Sequence, residues 1–268
     1  MPDKVRADDG LGFDNVPEIY DRVRPAYPPE LFSELFSYLS RDTDLRAVEI
    51  GPGTGKATRP LLEHGIAVTA VEPGEALAAF LSKKLGVEFP RLNVVVAKFG
   101  DAVLEAGAFD LVLAATSFHW VDRETRFQRC YDLLREGGAL AVIHTNQIES
   151  DADAGFFAAV QPIYDLHQDN DPGFALPSED ELKPEEYGGL VASGLFDDIR
   201  LHKYRWDQTY TSREYGDLMR SYSGTQAMEQ QQQEALIGDV TAFVDAEFGG
   251  AITRPLVMTL SLGRQAES

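Results

Sequence analysis

The feature that most constrains this chain is a glycine-rich turn directly after a short apolar strand. Residues 46–50 read RAVEI and run into a segment in which every second residue is glycine: Gly51, Gly53 and Gly55. Glycine lets the backbone turn sharply and leaves room for a ligand against bare peptide groups. The pattern therefore predicts a cofactor-binding loop at the end of the first strand of an α/β sheet.

Strand-like and helix-like segments alternate from about residue 30 to residue 145. Pro28-Pro29 opens an amphipathic helix with apolar residues on one face. Strands are predicted at 46–50, 66–72, 92–97, 109–115 and 139–145, and helices at about 56–64, 75–85 and 122–135. Near-continuous apolar strands between amphipathic helices indicate a parallel sheet covered on both faces.

After residue 146 the alternation stops. Residues 147–195 contain a possible short helix around Phe156 and an acidic stretch with prolines, a composition that favours a functional cap or loop. Two more strands follow, at 199–206 and 256–262, so the predicted total is seven. Between them lie a short helix with a Thr211–Glu214 capping box and a longer amphipathic helix. We predict one domain over 1–268, divided as follows: a helical segment 1–45, a core 46–146, a cap insertion 147–195 and a C-terminal part 196–268.

The charge balance restricts the partners. Lysine and arginine total 24 and aspartate and glutamate 44, so the formal net charge is −20. Nucleic-acid affinity rests on basic side chains that displace counterions, so nucleic acids and anionic membranes are excluded as expected partners. A small metabolite with a cationic portion fits this balance better. Because the sequence has no apolar run long enough to span a bilayer and only one cysteine, Cys130, we expect a cytoplasmic protein without disulfides.

The spacing of the loop separates three cofactor classes. A Walker A loop needs four residues between its first glycine and the Gly-Lys pair, but only three separate Gly51 from Gly55-Lys56, and Ala57 stands where Ser or Thr would hold magnesium. A dinucleotide loop, G-x-G-x-x-G, would need a third glycine at position 56. Each phosphate-binding pattern thus fails at a defining residue.

The third class is the S-adenosylmethionine (SAM) loop. Glu49-x-Gly51-x-Gly53-x-Gly55 resembles motif I of the class I SAM-dependent methyltransferases. Further similar segments follow in register: Glu72 with Pro73-Gly74, FDLV at 109–112, TSFHW at 116–120 and LLREGG at 133–138. At the amino end, YDRVRPAYP at 20–28 resembles the small-molecule branch that includes trans-aconitate methyltransferase-like proteins. The resemblance covers about residues 13–145 well.

The resemblance implies a doubly wound, seven-stranded, Rossmann-like methyltransferase fold with the last strand antiparallel, which binds SAM and releases S-adenosylhomocysteine. Glu72 would accept hydrogen bonds from the ribose hydroxyls, as a carboxylate can only accept. The other implied cofactor-binding residues are Tyr20 over the sulfonium, Arg24 on the methionine carboxylate, Glu49 and the three glycines, Pro73, Phe99 against the adenine, and Thr116. The acidic residue expected near the adenine amino group is absent at 97–100, and Asp101 is its possible substitute.

His119 follows the fourth strand, at the edge where open α/β sheets bind ligands. We interpret it as a candidate general base, with a local structural role as the alternative. The remaining histidines show no ligand spacing, so no metal site is predicted. The predicted function is methyl transfer from SAM to a small molecule. The alternatives are a non-catalytic SAM-binding module and a nucleotide-dependent oxidoreductase or NTPase; the acceptor and the oligomeric state stay open.

Overall fold

The computed structural model of the protein describes residues 17–39, 43–167 and 175–266. Within them the helices are α1 (Pro17–Val23), α2 (Pro29–Tyr38), α3 (Thr58–Glu63), α4 (Glu75–Leu85), α5 (Arg126–Leu133), α6 (Phe156–His167), α7 (Glu185–Ser193), α8 (Ser212–Arg220), α9 (Ser223–Gln226) and α10 (Gln230–Glu247). The strands are β1 (Arg46–Ile50), β2 (Ala67–Glu72), β3 (Leu92–Val96), β4 (Phe109–Ala115), β5 (Leu134–Gln147), β6 (Phe196–Thr211) and β7 (Ala251–Gln265). Positions 1–16 and 40–42 of the predicted N-terminal segment, and positions 168–174 of the predicted insertion, lie outside the described residues.

The seven strands form one sheet in the order β3-β2-β1-β4-β5-β7-β6. Pairs β1–β2, β2–β3, β1–β4 and β4–β5 are parallel, and the last strands are antiparallel, in agreement with the predicted antiparallel last strand. Strand β1 lies between β2 and β4, so the order of the sheet reverses between them. Ligands of open α/β sheets bind at the carboxyl ends of the strands beside such a reversal. The glycine loop follows β1 and residues 116–119 follow β4, so both leave the sheet at this edge.

The chain divides into two compact units, and the long strands β5, β6 and β7 contribute residues to both. The larger unit comprises residues 26–145, 183–204 and 258–268. Its core is a cluster of buried apolar side chains from β1, β4, β5, α5 and α7. Strand β4 is buried over six of its seven residues, which explains its unbroken apolar sequence FDLVLAA.

The smaller unit comprises residues 1–25, 146–182 and 205–257. Apolar faces of α6, α8 and α10 bury Phe156, Tyr215 and Val240 in one cluster. The predicted capping box is confirmed: the Thr211 hydroxyl accepts from the Glu214 backbone N–H, and the Glu214 carboxylate accepts from the Thr211 N–H. The range 147–195, predicted as one insertion, is thus divided at residue 182, since 183–204 packs with the larger unit.

Several predicted element boundaries were wrong. The helix predicted at 122–135 covers only Arg126–Leu133, because the Asp122 carboxylate accepts from the backbone of residues 124 and 125 in a turn, and Leu134 already pairs with Phe109 in the sheet. Strands β5, β6 and β7 are longer at both ends than predicted. The helix predicted from about residue 56 begins at Thr58, which places Pro60 in its first turn, where proline is tolerated.

Candidate functional site

The glycine loop after β1 has a backbone that requires glycine. Gly51, Gly53 and Gly55 have φ values of +59°, +55° and +85°, in the left-handed region that L-residues rarely adopt. A Cβ on Gly51 would lie 2.8 Å from the Ser117 Cβ, and one on Gly55 would lie 2.5 Å from the Leu81 Cδ1. The first contact keeps the loop close to the residues after β4, and the second allows α4 to pack beneath it. The predicted loop is therefore a tight, bare-backbone turn.

Glu72, at the end of β2, points into this loop. The Gly53 N–H donates to its Oε2 and the Gly74 N–H donates to its Oε1, each at 3.0 Å. Only 4% of the residue is exposed. A carboxylate has about four acceptor positions, so holding the loop is compatible with accepting from two hydroxyls. Glu72 thus fixes the conformation of Gly53, and its role toward the ribose stays a prediction. Pro73, next to it, is half-buried.

Glu49, one residue before the end of β1, is a buried acid: the residue is 1% exposed. Of the described residues, Thr58 interacts with its carboxylate through its hydroxyl, but no hydrogen bond of normal length is formed. Burial raises the pKa of Glu49 from its ordinary value of 4.5 to about 7; the Thr58 hydroxyl opposes the rise and the negative charge of Glu72 adds to it. A cationic ligand close to Glu49 would stabilise its ionised form.

Residues after β4 are held tightly beside the loop. Thr116 has φ +58°, which strains a β-branched residue, and its N–H donates to the Ile143 carbonyl at 2.7 Å. The Thr116 hydroxyl lies 3.2 Å from the Tyr27 hydroxyl, and the Ser117 hydroxyl donates to the Ile50 carbonyl. Backbone strain of this kind concentrates at functional sites, where the surrounding structure enforces it. Tyr27 and Ser117 thus contact the candidate site, and the sequence did not single them out.

His119 lies on the one-turn helix Phe118–Trp120 beside a second histidine. Its ring centroid is 6.0 Å from that of His144 on β5, with the planes at 66°. Burial, together with the neighbouring His144 and Arg126, lowers the pKa of His119 to about 4. More than a third of the residue is nevertheless exposed, so solvent reduces the effect. At neutral pH the ring is uncharged and able to accept a proton.

His144 in turn faces Glu186 of α7. The His144 Nδ1 lies 3.6 Å from the Glu186 Oε1, beyond hydrogen-bond length, and Glu186 is 5% exposed. Buried Arg126 donates to Glu185 at 3.0 Å and lies over the Phe118 ring. Sequence reasoning missed the His144–Glu186 pair because its members lie on elements far apart in the sequence and Glu186 lies in a stretch predicted as a cap.

Phe99 lies in the core of the larger unit. Its side chain is 6% exposed, and the Arg129 guanidinium lies 5.0 Å from its ring centroid while donating to the Phe99 and Ala102 carbonyls. Packing thus accounts for most of its surface, and the adenine contact stays a prediction.

Tyr20 and Arg24 belong to the smaller unit. The Arg24 guanidinium donates to the Ser221 hydroxyl and carbonyl, at 3.0 and 2.7 Å, and lies over the rings of Tyr20 and Tyr222. These contacts fix the orientation of Arg24. Its predicted role toward the cofactor carboxylate, and that of Tyr20 toward the sulfonium, remain predictions.

Over residues 17–39, 43–167 and 175–266, no group of three or more histidine, cysteine, aspartate or glutamate side chains is arranged to hold a metal ion. Within the same residues, no helix is both long enough and apolar enough to cross a bilayer.

The comparisons with known proteins agree on one family. Residues 48–142 match the family described as a methyltransferase domain. A ubiquinone biosynthesis O-methyltransferase of Rhizobium johnstonii is 30% identical over 186 residues, which cover 66% of this chain and 71% of that protein. An uncharacterized methyltransferase of Mycobacterium tuberculosis is 32% identical over 144 residues, 54% of this chain and 56% of that protein. The chain thus spans little more than half the length of the Mycobacterium tuberculosis relative.

A solved structure described as a putative type II methyltransferase from Anaeromyxobacter dehalogenans superposes with a TM-score of 0.60 at 19% identity, covering 90% of this chain and 97% of that one. This likeness defines the fold as that of the Rossmann-like methyltransferases. The sequence relatives show that the chain belongs to the class I SAM-dependent methyltransferases. The comparisons do not support the alternative of a nucleotide-dependent oxidoreductase or NTPase.

Proposed function

We propose that this protein transfers the methyl group of SAM to a small-molecule acceptor. The observation that carries the proposal is the left-handed glycine turn after β1 with the Glu72 carboxylate hydrogen-bonded into it. Such a turn offers backbone groups to a ligand, and the acid beside it suits a ribose with two free hydroxyls and would repel a ribose phosphate. The relative named for ubiquinone biosynthesis supports a small-molecule acceptor.

The residues of the larger unit divide the work of binding. Glu72 orients the ribose and fixes Gly53, while Gly51 and Gly55 keep the loop bare. Glu49, whose pKa burial raises to about 7, would become fully ionised when a cationic ligand binds close to it. When bound, SAM supplies a methyl carbon that the acceptor's lone pair attacks in line, while the carbon–sulfur electron pair stays on sulfur. The chain mainly aligns the reactants and excludes water, which can be worth up to about 7–11 kcal/mol.

His119 is the proposed proton acceptor for a hydroxyl or amine nucleophile. Its ring is uncharged at neutral pH because burial lowers its pKa to about 4. Because its lowered pKa makes His119 a weak base, a second proton acceptor is worth considering. His144, whose ring lies beside that of His119 and which faces Glu186, is that second candidate. A carboxylate nucleophile is already ionised and would need neither histidine.

Calorimetry on the full chain tests the cofactor assignment. SAM and S-adenosylhomocysteine should bind, whereas NAD and ATP should not. Replacing Glu72 with Gln should weaken SAM binding by order 1–3 kcal/mol, because an amide cannot act as a charged acceptor toward both hydroxyls. Glu63→Gln, an exposed residue on α3, is the matched control and should leave the affinity unchanged. Equal affinities of wild type and Glu72→Gln would refute the ribose role.

Mass spectrometry of an acceptor library incubated with isotope-labelled SAM tests transfer itself. Labelled products that depend on the protein would establish catalysis. SAM binding without any methylated product from a broad library would instead favour a non-catalytic SAM-binding module. The cytoplasmic location, the lack of nucleic-acid and membrane partners and the similarity to the trans-aconitate methyltransferase branch remain predictions from the sequence.

A further inference from the structure

The larger unit contains a buried carboxylate that faces a histidine. Glu186, in the first turn of α7, is 5% exposed, and within the described residues its ion-pair partner is the His144 Nδ1, 3.6 Å from its Oε1. The neighbouring Glu185 makes the shorter contacts of this turn, with Arg126 at 3.0 Å and Arg123 at 3.2 Å. Burying a charge is costly unless it is well paired. The contacts of Glu185 hold the turn, so they do not explain why a second acid is buried beside it.

His144 lies at the same edge of the sheet as His119 and the glycine loop. Strands β4 and β5 are parallel neighbours with Ala115 opposite Ile143, so both histidines lie just beyond the level at which β4 ends. Their ring centroids are 6.0 Å apart. Strand β1 lies on the other side of β4, and its glycine loop comes close to Ser117. A proton released beside the loop would therefore have two imidazole rings within reach.

His119 alone is a poor place to keep that proton. Burial, together with the charges of His144 and Arg126, lowers the pKa of His119 to about 4. A group with so low a pKa can take a proton only briefly at neutral pH. A second base next to it would complete the removal of the proton.

The Glu186 carboxylate suits His144 to that role in two ways. Its negative charge lies close to Nδ1 without a hydrogen bond of normal length, and it favours the tautomer that carries the proton on Nδ1. The free lone pair of the ring is then on Nε2. The same negative charge stabilises the imidazolium that forms when Nε2 gains a proton. The side chain of His144 is 31% exposed, so the ring is not sealed inside the core.

We propose that Glu186 positions His144 as the final proton acceptor of the methyl transfer. The proposal rests on the proposed function, and it adds that the acceptor is a hydroxyl or amine with a proton to lose. The acceptor's lone pair attacks the methyl carbon, and the carbon–sulfur electron pair stays on sulfur. The acceptor's proton moves to His119 and from there to Nε2 of His144. Glu186 is a positioning residue, because it acts through His144.

The first test measures the tautomer of His144 and needs no acceptor. The full chain carries isotope-labelled histidine, is saturated with S-adenosylhomocysteine and is studied by nitrogen NMR at alkaline pH, where the two nitrogens of a neutral ring have different shifts. His144→Gln assigns the signals. His144 should carry its proton on Nδ1 in wild type, and Glu186→Gln should remove this preference, because an amide has no negative charge.

The matched control is a second glutamate that faces a histidine in the same unit. Glu34 of α2 lies 3.4 Å from the Nε2 of His202 on β6. Glu34→Gln should change the signals of His202 and leave those of His144 as in wild type. It should also leave methyl transfer unchanged.

The second test measures transfer from labelled SAM to the library acceptor that is methylated best. Glu186→Gln should lower kcat by about 10–100-fold, the usual cost of removing a group that orients a histidine, and should leave KM for SAM unchanged. Glu186→Asp keeps the charge and should recover part of kcat.

A double-mutant cycle separates the proton path from an effect on packing. If His119 passes its proton to His144, the loss of kcat caused by Glu186→Gln should largely disappear in the His119→Asn background, because the path is already cut. An effect on packing would persist in full in that background.

Three results would overturn the proposal. The first is an unchanged tautomer of His144 in Glu186→Gln, and the second is an equal loss of kcat in the wild-type and His119→Asn backgrounds. The third is a library in which all methylated acceptors are carboxylates, since an ionised nucleophile has no proton to give up. If Glu186→Gln does not fold, His144→Gln decides, because a wild-type kcat in that variant would refute the role of His144. Failure of wild type to methylate any acceptor would instead refute the proposed function, while the tautomer would still show whether Glu186 acts on His144.

Discussion

The buried acid Glu49 should make the stability of the protein fall as the pH rises. Its folded-state pKa is about 7, against 4.5 for an ordinary glutamate, because burial disfavours the charged form. At pH values between these two, the folded chain holds a proton that the unfolded chain has released. Stability from this proton is fully present below about pH 4.5 and is lost as the pH rises through about 7. The two pKa values correspond to about 3 kcal/mol at most.

Replacing Glu49 with Gln should remove this dependence, since an amide of the same shape does not ionise. The free energy of unfolding of Glu49→Gln minus that of wild type should therefore rise by about 1–3 kcal/mol from pH 4.5 to pH 8. Urea unfolding followed by tryptophan fluorescence measures it. Carrying Trp206→Phe in all proteins leaves Trp120 as the single tryptophan, so that the signal reports on the larger unit.

The other carboxylates titrate alike in both proteins, so their contribution cancels in the difference between the two free energies of unfolding. Glu63→Gln removes an exposed charge paired with Arg59 and should change the free energy of unfolding by less than about 1 kcal/mol at every pH. A difference between Glu49→Gln and wild type that is the same at both pH values would refute the reasoning, because it would mean that Glu49 ionises equally easily in the folded and unfolded chains.

Two further predictions concern the loop and the proposed base. Gly55→Ala should destabilise the protein by about 1–3 kcal/mol more than Gly65→Ala in urea unfolding, because the φ values are alike (+85° and +86°) but only Gly55 would overpack against Leu81; equal losses would show that backbone strain alone matters. With a hydroxyl acceptor, His119→Asn should lower kcat by about 10²–10⁴-fold, with an equal loss at pH 6 and pH 8, because the pKa of His119 is about 4. An unchanged kcat in steady-state assays would remove His119 as a base.

Local patterns predicted the elements nearest the site. Strand β1, strand β4 and helix α4 have the predicted boundaries, because each is an apolar run or stripe that ends at a change in local chemistry, such as Gly51 after β1 and Gly86 after α4. The loop and Glu72 were found for the same reason: the spacing of glycines and acids within the short range 49–72 fixes which side chains meet at one edge of a parallel sheet.

Contacts between distant residues decided what local patterns missed. The LLREGG segment resembles a helix end, but Leu134 already pairs with Phe109 in the sheet. The next pair joins Leu111 to Ala139, so a register shift accommodates the extra residues of β5 between these two pairs. Strand pairing thus overrode helix propensity. No local signal brings His144 to Glu186, or Arg254 to Gln147, 107 residues away, since side-chain chemistry alone does not reveal which charges lack a partner.

Two ionisable groups without counter-charges distinguish this chain from a protein optimised for stability alone. Glu49 is a buried acid that forms no hydrogen bond of normal length with the described residues, and Arg254 is a partly buried base whose described partners are neutral. An acidic chain could pair Arg254 at little cost, as it pairs Arg126 with Glu185. Unpaired groups lower stability, so a ligand that supplies a missing partner, such as a cation beside Glu49, would explain why such a group is retained. On this argument, Glu49→Gln should stabilise the unliganded fold above about pH 7 and impair binding, a combination that a residue with a purely structural role would not produce.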